Sequence, residues 1–248
     1  MSKVGGFANN RYYSHPPRFQ GLHCVRNRVH GGESYFVDSF AAAHDFASRH
    51  PDHAEYLVKR KIPFGYDNDG HFLSSQHAVL PTNLVDRDAA VNWSPPFQAM
   101  RKASQRVRGR EAAEIAQDDS RFFDAIRAWE DILREPQRAY EFTMQEGDLV
   151  LFDNRRVLHA RRGFRDLTEE ERKERGVDVV PGEPTRWLKG CYLDGEVVWD
   201  KLVGLNRRHR SRTQSLEQLG QAEQIAEGVE EETEESEEIE ESEDMLPT

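Results

Sequence analysis

The chain has 248 residues, 45 acidic and 34 basic, a formal net charge of -11 and a hydrophobic share of 37%. No apolar run approaches the roughly 20 residues that span a bilayer, and two cysteines, Cys24 and Cys191, give no disulfide framework. The acidity is local: Thr213 to Thr248 hold 13 Glu, one Asp and no Lys or Arg, which leaves residues 1–212 at +3, so a near-neutral folded domain is expected at 1–212 and a disordered acidic tail at 213–248.

Met1 to Tyr13 show neither a secretory nor an amphipathic transit pattern. Strands are expected at Gln20–Asn27 and Glu33–Val37. Ser39 reads as a helix cap before Phe40–Ser48, where apolar residues recur at helical spacing. A second helix, Asp52–Lys59, precedes an Ile62-Pro63-Phe64 strand and the hairpin turn Asp67-Asn68-Asp69-Gly70. Strands at Phe72–Leu80 and Ala90–Trp93 follow, the second closed by Ser94-Pro95-Pro96. Ser120 is expected to cap a helix running to about Arg134, with Phe123, Ile126, Trp129 and Leu133 on one face. Pro136 ends it. Leu167–Arg175 reads as a solvated helical insert, and Ser215–Val229 as no more than a short frayed helix. Cys24 and Cys191 both fall in expected strands and read as buried free thiols.

Most of the chemistry lies in Gly147–Arg161. Leu149 to Phe152 form a short apolar run expected to be buried, Asp153-Asn154 are turn residues, and the chain then alternates. Val157, His159 and Arg161 share one face of the second strand. The following strand, Thr185–Asp194, places Arg186, Leu188, Gly190 and Tyr192 on one face. An arginine fork there can grip a carboxylate through two parallel hydrogen bonds. The cluster Arg155, Arg156, Arg161 and Arg162 lacks interleaved aromatics on a recognisable module, so it reads as strand-edge and anion-site charge rather than a nucleic-acid surface.

The order of these pieces resembles the Fe(II)/2-oxoglutarate dioxygenases of the taurine dioxygenase type, in particular the gamma-butyrobetaine and trimethyllysine hydroxylases. The resemblance runs over roughly residues 9–206. It is carried by Phe152-Asp153-Asn154-Arg155-Arg156-Val157-Leu158-His159 and by the Arg186-x-Leu188-x-Gly190-x-Tyr192 strand. Upstream it is carried by the Tyr12 to Cys24 stretch, with Pro16-Pro17, Gln20, Leu22 and His23, and by the Gly31-Gly32-Glu33-Ser34 hairpin. It implies a partial double-stranded β-helix, or jelly roll, over residues 1–212, mainly β with helical inserts, with Fe(II) as metal and 2-oxoglutarate as co-substrate in the intact family member. His159 would be the distal iron ligand, and Arg186 would hold the 2-oxoglutarate carboxylate, assisted by Ser34. Tyr192 would line the substrate pocket. A trimethylammonium amino acid is the small-molecule substrate class implied, held by ring faces, with Trp93 and Tyr13 as further cage candidates and Asn92 for the substrate carboxylate. Trp93 reads equally well as a core residue.

The same resemblance places the other two iron ligands, a His-x-Asp motif, at Phe7 and Asn9. Such a site needs two histidines and one carboxylate on one face of the metal, and this chain supplies one of the three. Two expectations follow: either the first residues come from a misplaced start or exon join in a longer parent, or the chain is a metal-free pseudoenzyme. In either case it is expected to be catalytically inactive as written. A non-catalytic β-sandwich module binding a carboxylate metabolite or a protein partner is the alternative. Neither a nucleic acid nor a membrane is an expected partner. A homodimer is an open expectation, and the parent would be cytoplasmic or mitochondrial.

Overall fold

The fold is taken from a computed structural model, which describes residues 16–68, 70–98, 112–178, 180 and 182–213. Strand β1 (Phe19–Asn27) is followed by β2 (Val29–Gly31), β3 (Ser34–Asp38), helices α1 (Ser39–Arg49) and α2 (Pro51–Lys59), and the β4 (Lys61–Asn68)–β5 (His71–Ala78) hairpin. Helix α3 (Ala112–Leu133) leads to β6 (Ala139–Phe142), β7 (Leu149–Asp153), β8 (Val157–Arg161) and β9 (Phe164–Asp166). Helix α4 (Glu169–Arg175) and strand β10 (Arg186–Leu193) complete the set. One compact unit extends to Gly195. Residues 196 onward form a second, helical through 213 among the described residues.

Two antiparallel sheets organise the first unit, one in the order β10-β1-β7 and the other β6-β3-β8. Two-stranded β2–β9 and β4–β5 pairs complete the strands. Period-two alternation decides what each face of the second sheet does. Tyr35, Val37 and Leu158 point one way, into a buried cluster with Phe46, Trp129, Ile132 and Leu133 of the helices. Phe46 and Trp129 meet edge to face at 5.4 Å. Each such fully buried side chain contributes about 1.5–3 kcal/mol. Phe36 and His159 point the other way and meet Phe152 of the first sheet. The space between the sheets is therefore lined by residues of β1, β3, β7, β8 and β10. This is the double-stranded β-helix with helical inserts.

Several local expectations change. Helix α1 is capped by Asp38, whose Oδ1 accepts from the Phe40 and Ala41 amides. Ser39 is buried, with its hydroxyl donating to the Arg156 carbonyl. Helix α3 starts by Ala112, because Ala112-Ala113-Glu114 and Ala116-Gln117 are strong helix formers and Ser120 is tolerated inside the helix on its exposed side. The buried residues of α3 are Ala125, Trp129, Ile132 and Leu133, while Phe123 is 62% exposed. Ala90–Trp93 is not a strand. The Val91 amide donates to the Arg155 carbonyl and the Asn92 amide to the Val79 carbonyl, so its hydrogen bonds go to two different segments rather than one ladder. Leu149 and Leu151 are largely exposed, because in β7 they alternate with Phe152 and face outward. Cys191 shares that outward face and is exposed, whereas Cys24 is buried. The expected disordered tail, the 215–229 helix, Phe7, Asn9 and Tyr13 lie outside the described residues.

Candidate co-substrate and metal site

The turn after β7 aims His159. Asp153 Oδ1 accepts from the Arg155 amide at 2.9 Å and the Asp153 carbonyl from the Arg156 amide at 3.0 Å, which reverses the chain into β8. Leu158, 1% exposed, enters the helical core, so the alternating residue His159 must face the other sheet. Its ring packs 5.1 Å from Phe152 and 6.3 Å from Phe36, centroid to centroid. This apolar setting disfavours the imidazolium, and burial lowers the His159 pKa to about 4. The imidazole is neutral at physiological pH and keeps a lone pair with which to bind a metal. Its Nδ1 is buried and has no hydrogen-bond partner among the described residues.

Arg186 opens β10, opposite Asn27, just past an irregularity in β1 between Cys24 and Arg26. Its guanidinium carbon lies 5.6 Å from the Phe164 ring centroid. Its Nε is buried and unpartnered among the described residues, and none of their carboxylates pairs with it. Burial first, and then the nearby Arg161, lower its pKa. Gly32 makes room for it. A Cβ there would sit 3.3 Å from Arg186 Nε and 3.2 Å from Phe164 Cβ, at a φ of +79° that favours glycine.

Ser34 is 6% exposed and pairs across β3 with Arg161, on the face that carries Phe36 and His159. Tyr192 lies on the face of β10 shared with Arg186, is 45% exposed and pairs with Gln20. The remaining two candidates sit elsewhere. Trp93 is 1% exposed and belongs to the buried cluster of Tyr35, Val37 and Leu158, behind the sheet that carries His159, so its ring faces are occupied by protein. Asn92 is committed to the Ala78 carbonyl, to which its Nδ2 donates at 2.7 Å. Sequence reasoning assigned no role to Phe36, Phe152 and Phe164, which shape the surroundings of the two site residues, and read Gly32 only as a hairpin glycine, which its positive φ bears out. Gln20 was also passed over. It lies between Tyr192 and Phe152 in register, is 4% exposed, and its Oε1 has no partner among the described residues. The alternation of Gln20, Leu22 and Cys24 was the available signal.

Iron can be tested against these residues. Among the described residues no group of three or more His, Cys, Asp and Glu is placed to hold a metal ion. His159 fits one position of a three-ligand set, and the described residues do not complete it. The features around Arg186 suit a carboxylate instead: a guanidinium without a carboxylate partner among the described residues, partly desolvated, with space kept open by a glycine.

The double-stranded β-helix with helical inserts, and this order of site strands, is the architecture of the TauD-type dioxygenase family. The chain belongs to the taurine catabolism dioxygenase TauD, TfdA family, whose model matches residues 8–192. It is 42% identical over 192 residues to Dioxygenase str8 of Strobilurus tenacellus, covering 77% of this chain and 40% of that protein. It is 27% identical over 197 residues to the gamma-butyrobetaine dioxygenase of Homo sapiens, covering 78% and 45%. It is 25% identical over 199 residues to the mitochondrial trimethyllysine dioxygenase of Bos taurus, covering 78% and 41%. The chain thus spans less than half the length of these relatives. In fold it is similar to a Burkholderia xenovorans protein described as an alpha-ketoglutarate-dependent taurine dioxygenase, with a TM-score of 0.50 and 17% identity over 76% of this chain and 58% of that one.

Proposed function

We propose that this chain carries the co-substrate half of an Fe(II)/2-oxoglutarate hydroxylase of the gamma-butyrobetaine and trimethyllysine type, and that it is inactive as written. The observation that carries the reading is Arg186: a partly buried guanidinium with no carboxylate partner among the described residues, in a chain whose family resemblance implies 2-oxoglutarate as co-substrate. In this reading Arg186 grips the far carboxylate of 2-oxoglutarate, Ser34 lends a hydroxyl, and neutral His159 offers one ligand to iron. Bound iron would supply oxygen activation, and the chain's own contribution is placement and charge neutralisation. Phe7 and Asn9 stand where the family has its other two ligands, which removes the carboxylate and one imidazole. Tyr192 would present a ring face to the quaternary ammonium of a substrate. The identities to gamma-butyrobetaine and trimethyllysine dioxygenases support that substrate class.

The experiment is a titration of the purified chain with 2-oxoglutarate by calorimetry. Saturable binding that Arg186→Ala abolishes is expected. Unchanged binding in that variant would overturn the assignment. A second reading, a non-catalytic module for a carboxylate metabolite, rests on the same arginine and on the lack of a complete ligand set among the described residues. It predicts binding that Fe(II) neither strengthens nor turns into turnover.

A further inference from the structure

Four arginines surround the His159 strand, and three of them have carboxylate partners. Arg155 pairs with Asp88 at 3.2 Å, Arg156 with Asp38 at 2.6 Å, and Arg162 with Glu141 at 2.7 Å. Arg161 has no carboxylate partner among the described residues. Its Nη1 donates to the Arg162 carbonyl at 3.2 Å.

The Arg161 guanidinium carbon lies 4.3 Å from the Phe164 ring centroid, the ring that Arg186 approaches at 5.6 Å. These two contacts bound the separation of the guanidinium carbons at about 10 Å, close to one Debye length at physiological salt. Burial first, and then the charge of Arg161, lower the Arg186 pKa, in keeping with that proximity. Like charges held near one ring without a counter-charge among the described residues repel, and an anion between them relieves both. Gly32 borders the same place, where a Cβ would press on both Phe164 and Arg186.

We propose that Arg161 is a second anion-binding residue, closing with Arg186 around Phe164 on the same carboxylate of a dicarboxylate ligand. The inference rests on the reading of Arg186 given above. It adds that the grip is bifurcated between β8, the strand of the metal-ligand candidate, and β10. A dicarboxylate bound in this way is tied to the His159 strand even when no metal is present.

The test is calorimetric titration of the full chain with 2-oxoglutarate, without added metal and at several salt concentrations. Arg161→Ala is expected to weaken binding about 10-fold, as loss of one charge-assisted contact. Arg161→Lys should recover part of that loss, and the salt dependence of Arg161→Ala should be shallower than that of the wild type. Thermal unfolding checks that each variant is folded, and Arg161→Gln replaces the alanine variant if that one is not. Arg161→Ala binding within twofold of wild type, with binding still lost in Arg186→Ala, overturns this inference and leaves the reading of Arg186 standing. Weakened binding with an unchanged salt slope and no lysine rescue also overturns it, because the arginine would then act through structure alone. No binding of 2-oxoglutarate to the wild type at millimolar concentration overturns both.

Discussion

Phe152 and His159 face one another across the two sheets, with ring centroids 5.1 Å apart. The contact joins the sheets and keeps water from the imidazole. Burial lowers the His159 pKa from 6.5 to about 4. Between those values the unfolded chain binds a proton that the folded chain refuses. This contribution to stability is therefore complete above about pH 6.5 and is lost as the pH falls toward 4, by at most about 3 kcal/mol. Urea denaturation followed from pH 7 down to pH 5 should show the slope, and His159→Gln should flatten it. Phe152→Ala should cost about 3–5 kcal/mol and let the imidazole pKa rise, an effect readable by NMR titration. A slope unchanged in His159→Gln would show that the histidine is not the group responsible.

Asp38 caps helix α1 and also meets Arg156 at 2.6 Å. Asp38→Ala should cost about 1–2 kcal/mol, typical of a lost cap with a charge partner. Hydrogen bonds from Arg156 and from the Ala41 and Phe40 amides outweigh desolvation and lower the Asp38 pKa. Its stabilising contribution is therefore present above the ordinary carboxylate pKa and is lost as pH falls through the lowered value. Equal and negligible effects of Asp38→Ala and Ser39→Ala in denaturant melts would contradict this account of the helix start.

Gly32→Ala should weaken 2-oxoglutarate binding by about 10-fold, equivalent to about 1.4 kcal/mol, because the new methyl group presses on Arg186 Nε and Phe164 Cβ. Gly31→Ala should act mainly on stability, since its Cβ would lie 2.6 Å from the Gly163 carbonyl oxygen at a φ of +80°. Calorimetry and thermal melts on the two variants separate these outcomes. An unaltered affinity in Gly32→Ala would place the ligand away from Arg186.

The outward face of the β10-β1-β7 sheet carries Leu149 at 68% exposure, Leu151 at 62%, and Leu193 and Trp187 near 40%. β7 and β10 are also the ends of that sheet's strand order. An exposed apolar patch beside a sheet edge favours self-association. Leu149→Lys combined with Leu151→Lys should reduce concentration-dependent association in sedimentation without lowering the melting temperature. A large loss of stability would mean that the two leucines are covered in solution.

The parts of the molecule that follow local rules were legible from sequence. The β4–β5 hairpin, the Pro136 stop, the solvated helical insert at α4 and the alternation in β8 all depend on neighbours a few residues apart. What was missed depends on tertiary context. Leu149 and Leu151 look like a core strand until one knows which face of β7 meets the other sheet. Trp93 read equally well as a cage ring and as a core residue, and its burial in the cluster with the helices places it in the core. Asp38 and Ser39 are both good caps by chemistry, and the Arg156 carbonyl decides between them by taking the serine hydroxyl. In the site, period two set the strand faces of His159, Arg186 and Tyr192, and the family resemblance singled out these three and Ser34. Phe164 and Gly32 were not distinguishable, because their importance comes from how a distant arginine lies across them.

The most direct test of the central claim is succinate release by the 248-residue chain with Fe(II), ascorbate, 2-oxoglutarate and gamma-butyrobetaine or trimethyllysine. On the proposed assignment of Phe7 and Asn9 to the positions of two iron ligands, the account predicts release no greater than that of a His159→Ala control, although 2-oxoglutarate still binds. Phe7→His combined with Asn9→Asp should then raise Fe(II) affinity. Succinate release by the unaltered chain above the His159→Ala control would contradict the account.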